Sequence, residues 1–75
     1  MPYISIKSYP KDDEAKKRTA DGIVRVLLEN RICAEEAITI SWEEVFPDDW
    51  EEKVVEKEID PNRDKMLILA GKETD

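Results

Sequence analysis

The sequence predicts an α/β (α+β) fold in which two parallel strands and a long crossover helix form one βαβ unit, followed by a second, short helix. Three observations predict it. Residues 2–9 and 37–44 alternate apolar and polar side chains, the period of a strand. Between them apolar residues recur at three- and four-residue steps, the period of a helix. With 75 residues the chain has room for one core, so residues 1–75 are read as a single domain.

In the first strand Ile4 and Ile6 point one way, and Tyr3, Ser5 and Lys7 the other. Pro10 ends it, and Asp12 and Asp13 supply capping oxygens and negative charge to the helix that follows. Ala15, Ile23, Val26 and Leu27, with Ala20, Val24 and Leu28 beside them, form the apolar stripe of that helix to about Asn30. Lys16, Lys17, Asp21, Arg25 and Glu29 form its solvated side. Gly22 reads either as a close approach of helix to strand or as simple tolerance. A connection over residues 31–36 leads to the second strand, with Ile38, Ile40 and Trp42 on its apolar side. The right-handed crossover rule makes the two strands parallel, with the helix on one face.

After Pro47, Asp48 or Asp49 caps a second helix carrying Trp50, Val54, Val55 and Ile59, and Pro61 closes it. Residues 66–71 are too short to type by period and lean toward an extended conformation.

Composition excludes several classes of function. Twelve Lys and Arg against nineteen Asp and Glu give a net charge of −7, which repels nucleic acid and anionic lipid. No apolar run is long enough for a membrane span or a signal peptide, so a soluble, cytoplasmic protein is expected. Histidine is absent and Cys33 is the only cysteine, which leaves no histidine-dependent triad, no disulfide and no zinc cluster. The acidic run Glu43, Glu44, Asp48, Asp49, Glu51 and Glu52 fits no calcium-loop spacing and reads as solvated surface. No metal and no cofactor are expected. A core this small, without a disulfide or metal, points to self-association.

Pro2 is the residue with chemistry to offer. Removal of Met1 before a small second residue leaves a secondary amine at the chain start. Such an amine titrates near 7.7 to 8.0 in general terms, and burial lowers a cationic amine further. It is then neutral and basic near pH 7, as a general base must be. The bland reading is a proline at a strand's first residue, where no ladder donor is needed.

The initial Met-Pro-Tyr-Ile-Ser-Ile strand, the Asp-Asp-Glu start of the helix, and Ile38-Thr39-Ile40-Ser41 together resemble the 4-oxalocrotonate tautomerase family. Val45-Phe46-Pro47 and Trp50 make the chain most similar to its small, dimeric, pseudo-tautomerase-like subgroup, over residues 2–60. The resemblance implies a tautomerase-like unit completed by dimerisation, and keto-enol interconversion of small 2-hydroxy acids or enols with the Pro2 amine as general base. The family steadies its substrate carboxylate with two arginines. Here Lys11 lies near the first place and Thr39 occupies the second, which implies weak turnover, because neither offers a bidentate fork. Trp50 corresponds to the aromatic residue that closes the site, and Tyr9 to an apolar wall; Trp42 and Cys33 receive no site role.

The implied partner is a small-molecule enol or keto acid. The alternative is a non-enzymatic relative of the same fold, binding a ligand or partner, in which Pro2 only begins a strand. A cofactor-free decarboxylase or dehalogenase is a third reading. The sheet side with Tyr3, Ser5, Lys7, Thr39, Ser41 and Glu43 is polar, which favours a homodimer, and pairing of Lys7 with Glu43 keeps a hexamer open.

Overall fold

The structure is a computed structural model in which residues 1–74 are described. Their contacts gather into two compact units, Met1–Val45 and the chain from Phe46 onward.

In the first unit β1 (Tyr3–Ser8) and β2 (Thr39–Glu44) pair in parallel, and α1 (Asp13–Glu29) is the crossover between them. This is the expected βαβ unit. The register sets Tyr3 beside Thr39, Ile4 beside Ile40, Ile6 beside Trp42 and Lys7 beside Glu43. Ile4, Ile6, Ile40 and Trp42 are half-buried, as are Ala15, Ala20, Ile23, Val24, Leu27 and Leu28 of α1. The alternate side of the sheet is a polar ladder. The Tyr3 hydroxyl lies 3.1 Å from Ser41 Oγ, and Lys7 Nζ lies 3.9 Å from Glu43 Oε1, the pairing that alternation anticipates.

The Asp12 side chain caps α1 by accepting the Ala15 N–H at 2.7 Å, and Asp13 and Glu14 place negative charge in the first turn. At the other end Arg31 N–H donates to the Leu28 carbonyl and Ile32 N–H to the Leu27 carbonyl, the two bonds of a Schellman motif. Arg31 takes the left-handed position at φ 55°, where glycine is commoner.

At Gly22 a Cβ would meet only Arg25 Nη2, at 3.9 Å, so the close-approach reading fails and tolerance remains. Gly22→Ala is therefore expected to stabilise the protein by about 1 kcal/mol, the helix-interior difference between the two residues. A urea midpoint that stays put or falls would show that something packs against the helix there.

Strand β2 begins two residues later than the alternation suggests. Residues Glu35–Ala37 form a 3-10 turn, in which Ala37 N–H donates to Ala34 and Ile38 N–H to Glu35. A local turn satisfies those donors, so the ladder starts with Thr39 N–H on the Pro2 carbonyl at 3.2 Å.

In the second unit α2 (Pro47–Trp50) has Phe46 at its cap position and Pro47 inside the first turn. Asp48 and Asp49 lie within that turn rather than capping it, because proline lacks an N–H and suits the helix's first position. The helical path is longer than expected. It continues as a π-helical run, Glu51–Ile59, in which Asp60 N–H reaches back five residues to the Val55 carbonyl, and then as a 3-10 run, Asp60–Lys65. Pro61 sits inside that last run instead of closing the helix; the backbone leaves helical angles at Asn62, with φ −119° and ψ 22°.

Beyond it β3 (Ile68–Leu69) and β4 (Lys72–Glu73) form an antiparallel hairpin. Its two-residue loop, Ala70 at φ 50° and Gly71 at φ 82°, has both central residues at positive φ, as the hairpin turn that matches strand twist requires. The extended conformation expected within residues 66–71 is thus present at Ile68 and Leu69. Residue 75 of the C-terminal segment lies outside the described residues.

Among the described residues Val45 and Val54, each 5% exposed, are the buried apolar side chains, one in each unit. Tyr3, Phe46, Leu67 and Ile68 are large and mostly exposed.

Candidate active site

The sequence-derived candidates fall at two ends of the first unit's sheet and in the second unit. At the amino end Pro2 is half-buried, and its carbonyl takes the Thr39 N–H at 3.2 Å. Met1 is fully exposed, so its removal strips no packing and leaves that hydrogen bond in place. Such a cut would leave a secondary amine just before β1. Thr39 holds Pro2 through its backbone; by alternation its side chain shares the face of Tyr3.

Tyr9 and Lys11 follow the opposite end of β1, and both are exposed. Strand rise puts Tyr9 about 20 Å from Pro2. Within one chain, therefore, the proline and the lysine do not meet. Trp50 is half-buried at the last residue of α2 in the second unit. Trp42 lies with the apolar side of the sheet, and its indole N–H donates to Ser8 Oγ at 2.9 Å. Cys33 is a free, half-buried thiol.

Reading the acidic run as plain solvated surface misses Glu44. Its Oε2 accepts the Lys11 backbone N–H at 2.9 Å and lies 3.3 Å from Lys16 Nζ, which is also 3.5 Å from Asp13 Oδ1. Glu44 thereby joins the end of β2 to the loop after β1 and to the first turn of α1. The Lys11 N–H, then Lys16, hold its carboxyl below the usual carboxylate range. Lys16 is raised in turn, chiefly by its hydrogen bond to Glu44, against some desolvation, with Asp13 adding to the rise. A strand-end glutamate carries no sequence signal of these partners. They become visible only when the crossover brings the helix start beside the end of β2.

The sign of the pH effect follows. A carboxyl depressed in the folded state gives stability that is present above its unfolded value, about 4.3, and is lost as pH falls through the folded value. The gap in urea midpoint between wild type and Glu44→Gln is expected at pH 7 and should close on acidification. A gap that persists unchanged at pH 3 would contradict the assignment.

Among the described residues no group of three or more acidic, cysteine or histidine side chains is placed to hold a metal ion, and no helix is long and apolar enough to cross a membrane.

A parallel βαβ unit with a half-buried Pro2 just before its first strand, behind an exposed Met1, defines a small α+β protein. No protein-family model matches the chain. Curated relatives do. It is 32% identical to Tautomerase PptA of Klebsiella pneumoniae over 73 residues, covering 95% of this chain and 96% of that one. It is 29% identical to Tautomerase PptA of Cronobacter sakazakii over 75 residues, with 97% and 99% covered, and 29% identical to that of an Enterobacter species over 73 residues, with 95% and 96% covered. The chain belongs to the tautomerase family.

Proposed function

We propose that the chain is a cofactor-independent tautomerase, an isomerase that interconverts small 2-hydroxy acids or enols with their keto forms, with the Pro2 amine as general base. The observation that carries this reading is the half-buried position of Pro2 immediately before β1, behind a fully exposed Met1. Once Met1 is removed, the Pro2 nitrogen takes the enol's hydroxyl proton as that O–H bond breaks. The oxygen's electron pair closes the carbonyl, the former double bond's electrons take the proton back from the nitrogen onto carbon, and the amine is neutral again. The step needs no other reactant.

In this reading Lys11 holds the substrate carboxylate as a point charge, Thr39 flanks the proline, and Tyr9 and Trp50 supply apolar walls. A lysine and a threonine in place of two bidentate donors make turnover weak. Residues 1–75 act as one domain in the cytoplasm.

The site is completed by a second copy of the chain. Thr39 N–H bonds the Pro2 carbonyl and Val45 N–H the Ser8 carbonyl, so the even residues of β1 turn their backbone groups to β2. The odd residues Tyr3, Ser5 and Lys7 turn theirs to the other edge. An antiparallel pairing of two such edges about Ser5 sets Pro2 opposite Ser8 of the other copy, with the Tyr9–Lys11 loop just past it. The distance of about 20 Å within one chain is then closed between chains. A homodimer is the assembly this requires, and the Lys7–Glu43 pair leaves a hexamer open.

The test is an ultraviolet ketonisation assay on phenylpyruvate enol, with intact mass reporting the amino terminus. A form that keeps Met1 has an amide at Pro2, and so no base, and should be inactive. Wild-type turnover by that form sinks the proposal and leaves the non-enzymatic reading.

A further inference from the structure

The loop that carries Tyr9 and Lys11 is fastened from β2 at two points. The Ser8 hydroxyl accepts the Trp42 indole N–H at 2.9 Å and donates to the Tyr9 carbonyl at 2.8 Å, one continuous relay from β2 to the loop. On the far side of Pro10 the Glu44 carboxylate takes the Lys11 N–H at 2.9 Å. Val45 N–H on the Ser8 carbonyl at 2.8 Å closes the corner. Between these points lie Tyr9 and Pro10, and Pro10 has no N–H and a φ fixed by its ring.

Glu44 differs from an ordinary surface glutamate in what it holds. Its backbone partner is the residue proposed to bind the substrate carboxylate, and its second partner, Lys16, is itself tied to Asp13 in the first turn of α1. The Lys16 side chain is 24% exposed and that of Glu44 37%, so the pair is partly withdrawn from water, and a charged acceptor makes the stronger kind of hydrogen bond. Lys11 is itself exposed. A cation on a flexible stem binds an anion better when its backbone is already fixed, because less freedom is lost on binding.

We propose that Glu44 is a positioning residue of the site: by accepting the Lys11 N–H and pairing with Lys16 it fixes the loop from Tyr9 to Asp12, so that Lys11 meets a carboxylate-bearing substrate with its backbone pre-set. This rests on the reading of Lys11 as the carboxylate holder. It assigns Glu44 to substrate binding and not to proton transfer.

The experiment uses the full chain with Met1 removed, and two readouts. The first is the dissociation constant of 3-phenylpropionate, which carries the carboxylate and cannot enolise, followed by NMR. The second is the split between KM and kcat on phenylpyruvate enol, set beside the enol of an arylacetaldehyde, which lacks a carboxylate. Glu44→Ala is expected to weaken 3-phenylpropionate binding about tenfold and to raise KM for the phenylpyruvate enol by a similar factor, with kcat within about twofold. KM for the carboxylate-free enol should not move. Glu44→Gln keeps an oxygen for the Lys11 N–H and should recover part of the loss, which a variant that merely failed to fold could not do.

If Lys11→Ala weakens binding while Glu44→Ala and Glu44→Gln bind as wild type, the positioning role is overturned and the carboxylate site stands. If Lys11→Ala itself binds as wild type, the carboxylate site falls and the role of Glu44 falls with it. A fall in kcat on both enols alike also overturns the proposal, because it would place Glu44 in the chemistry or the fold.

Discussion

Pro2→Ala, with Met1 still removed, is expected to lower kcat/KM for phenylpyruvate ketonisation by about 10²-fold or more, within the range that a positioned general base contributes. The alanine variant keeps an amine, but a primary one on a backbone free to rotate. The proline ring stops rotation about the N–Cα bond and so restricts where the nitrogen's lone pair points. Thr39 N–H holds the Pro2 carbonyl from the other side, so the amine is framed at both bonds of the residue. Alanine can keep the Thr39 bond and should leave the melting behaviour almost unchanged, which separates loss of the base from loss of the strand. The acidic limb of the wild-type kcat/KM profile should report the amine, and should shift or vanish in Pro2→Ala. Equal rates for the two proteins would remove Pro2 from the reaction.

The fold was legible where a repeating pattern met a burial requirement. Ile4, Ile6, Ile40 and Trp42 have to share a face, and α1 has to lie along it, so alternation and helical period were enough to place β1, α1 and β2. The start of β2 was misjudged because Ala37 and Ile38 continue the alternation, while the backbone's nearest acceptors are Ala34 and Glu35. In the second unit proline was read as punctuation. Pro47 stands inside its helix and Pro61 inside the 3-10 run, because a residue without an N–H costs nothing in a first turn. The π-helical run Glu51–Ile59 was not separable from an α-helix in the sequence, because Trp50 to Val54 and Val55 to Ile59 are steps of four that an α-helix also accommodates.

The proposed site could be drawn from the sequence only as a set of residue types and not as an arrangement. Pro2 is singled out by the secondary amine that loss of Met1 would leave, and Thr39 only by the place it fills in the resemblance. Lys11 and Tyr9 were grouped with Pro2 through the resemblance, and only the strand between them shows that one chain holds them apart. Glu44 was hidden in an acidic run whose other members are mostly exposed. What distinguishes it is the N–H of Lys11, thirty-three positions away in sequence.

In the proposed homodimer that separation makes the second large effect an effect between chains. Pro2→Ala and Lys11→Ala homodimers are each expected to be poor enzymes at low substrate concentration, the first for want of a base and the second for want of a carboxylate holder. Unfolded together and refolded at equal amounts, they form heterodimers in which one site pairs an intact Pro2 with the other chain's intact Lys11. The second site has neither. Random pairing makes half the dimers mixed, each with one good site of two, so the mixture should regain about a quarter of wild-type kcat/KM. Recovery needs no new contact, only a two-fold axis that closes a gap of about 20 Å. If each chain carried a whole site, mixing would restore nothing, and the activity would remain the mean of the two variants at every ratio. A bell-shaped dependence on mixing ratio, peaking at equal amounts, is therefore the signature of a site built from two copies.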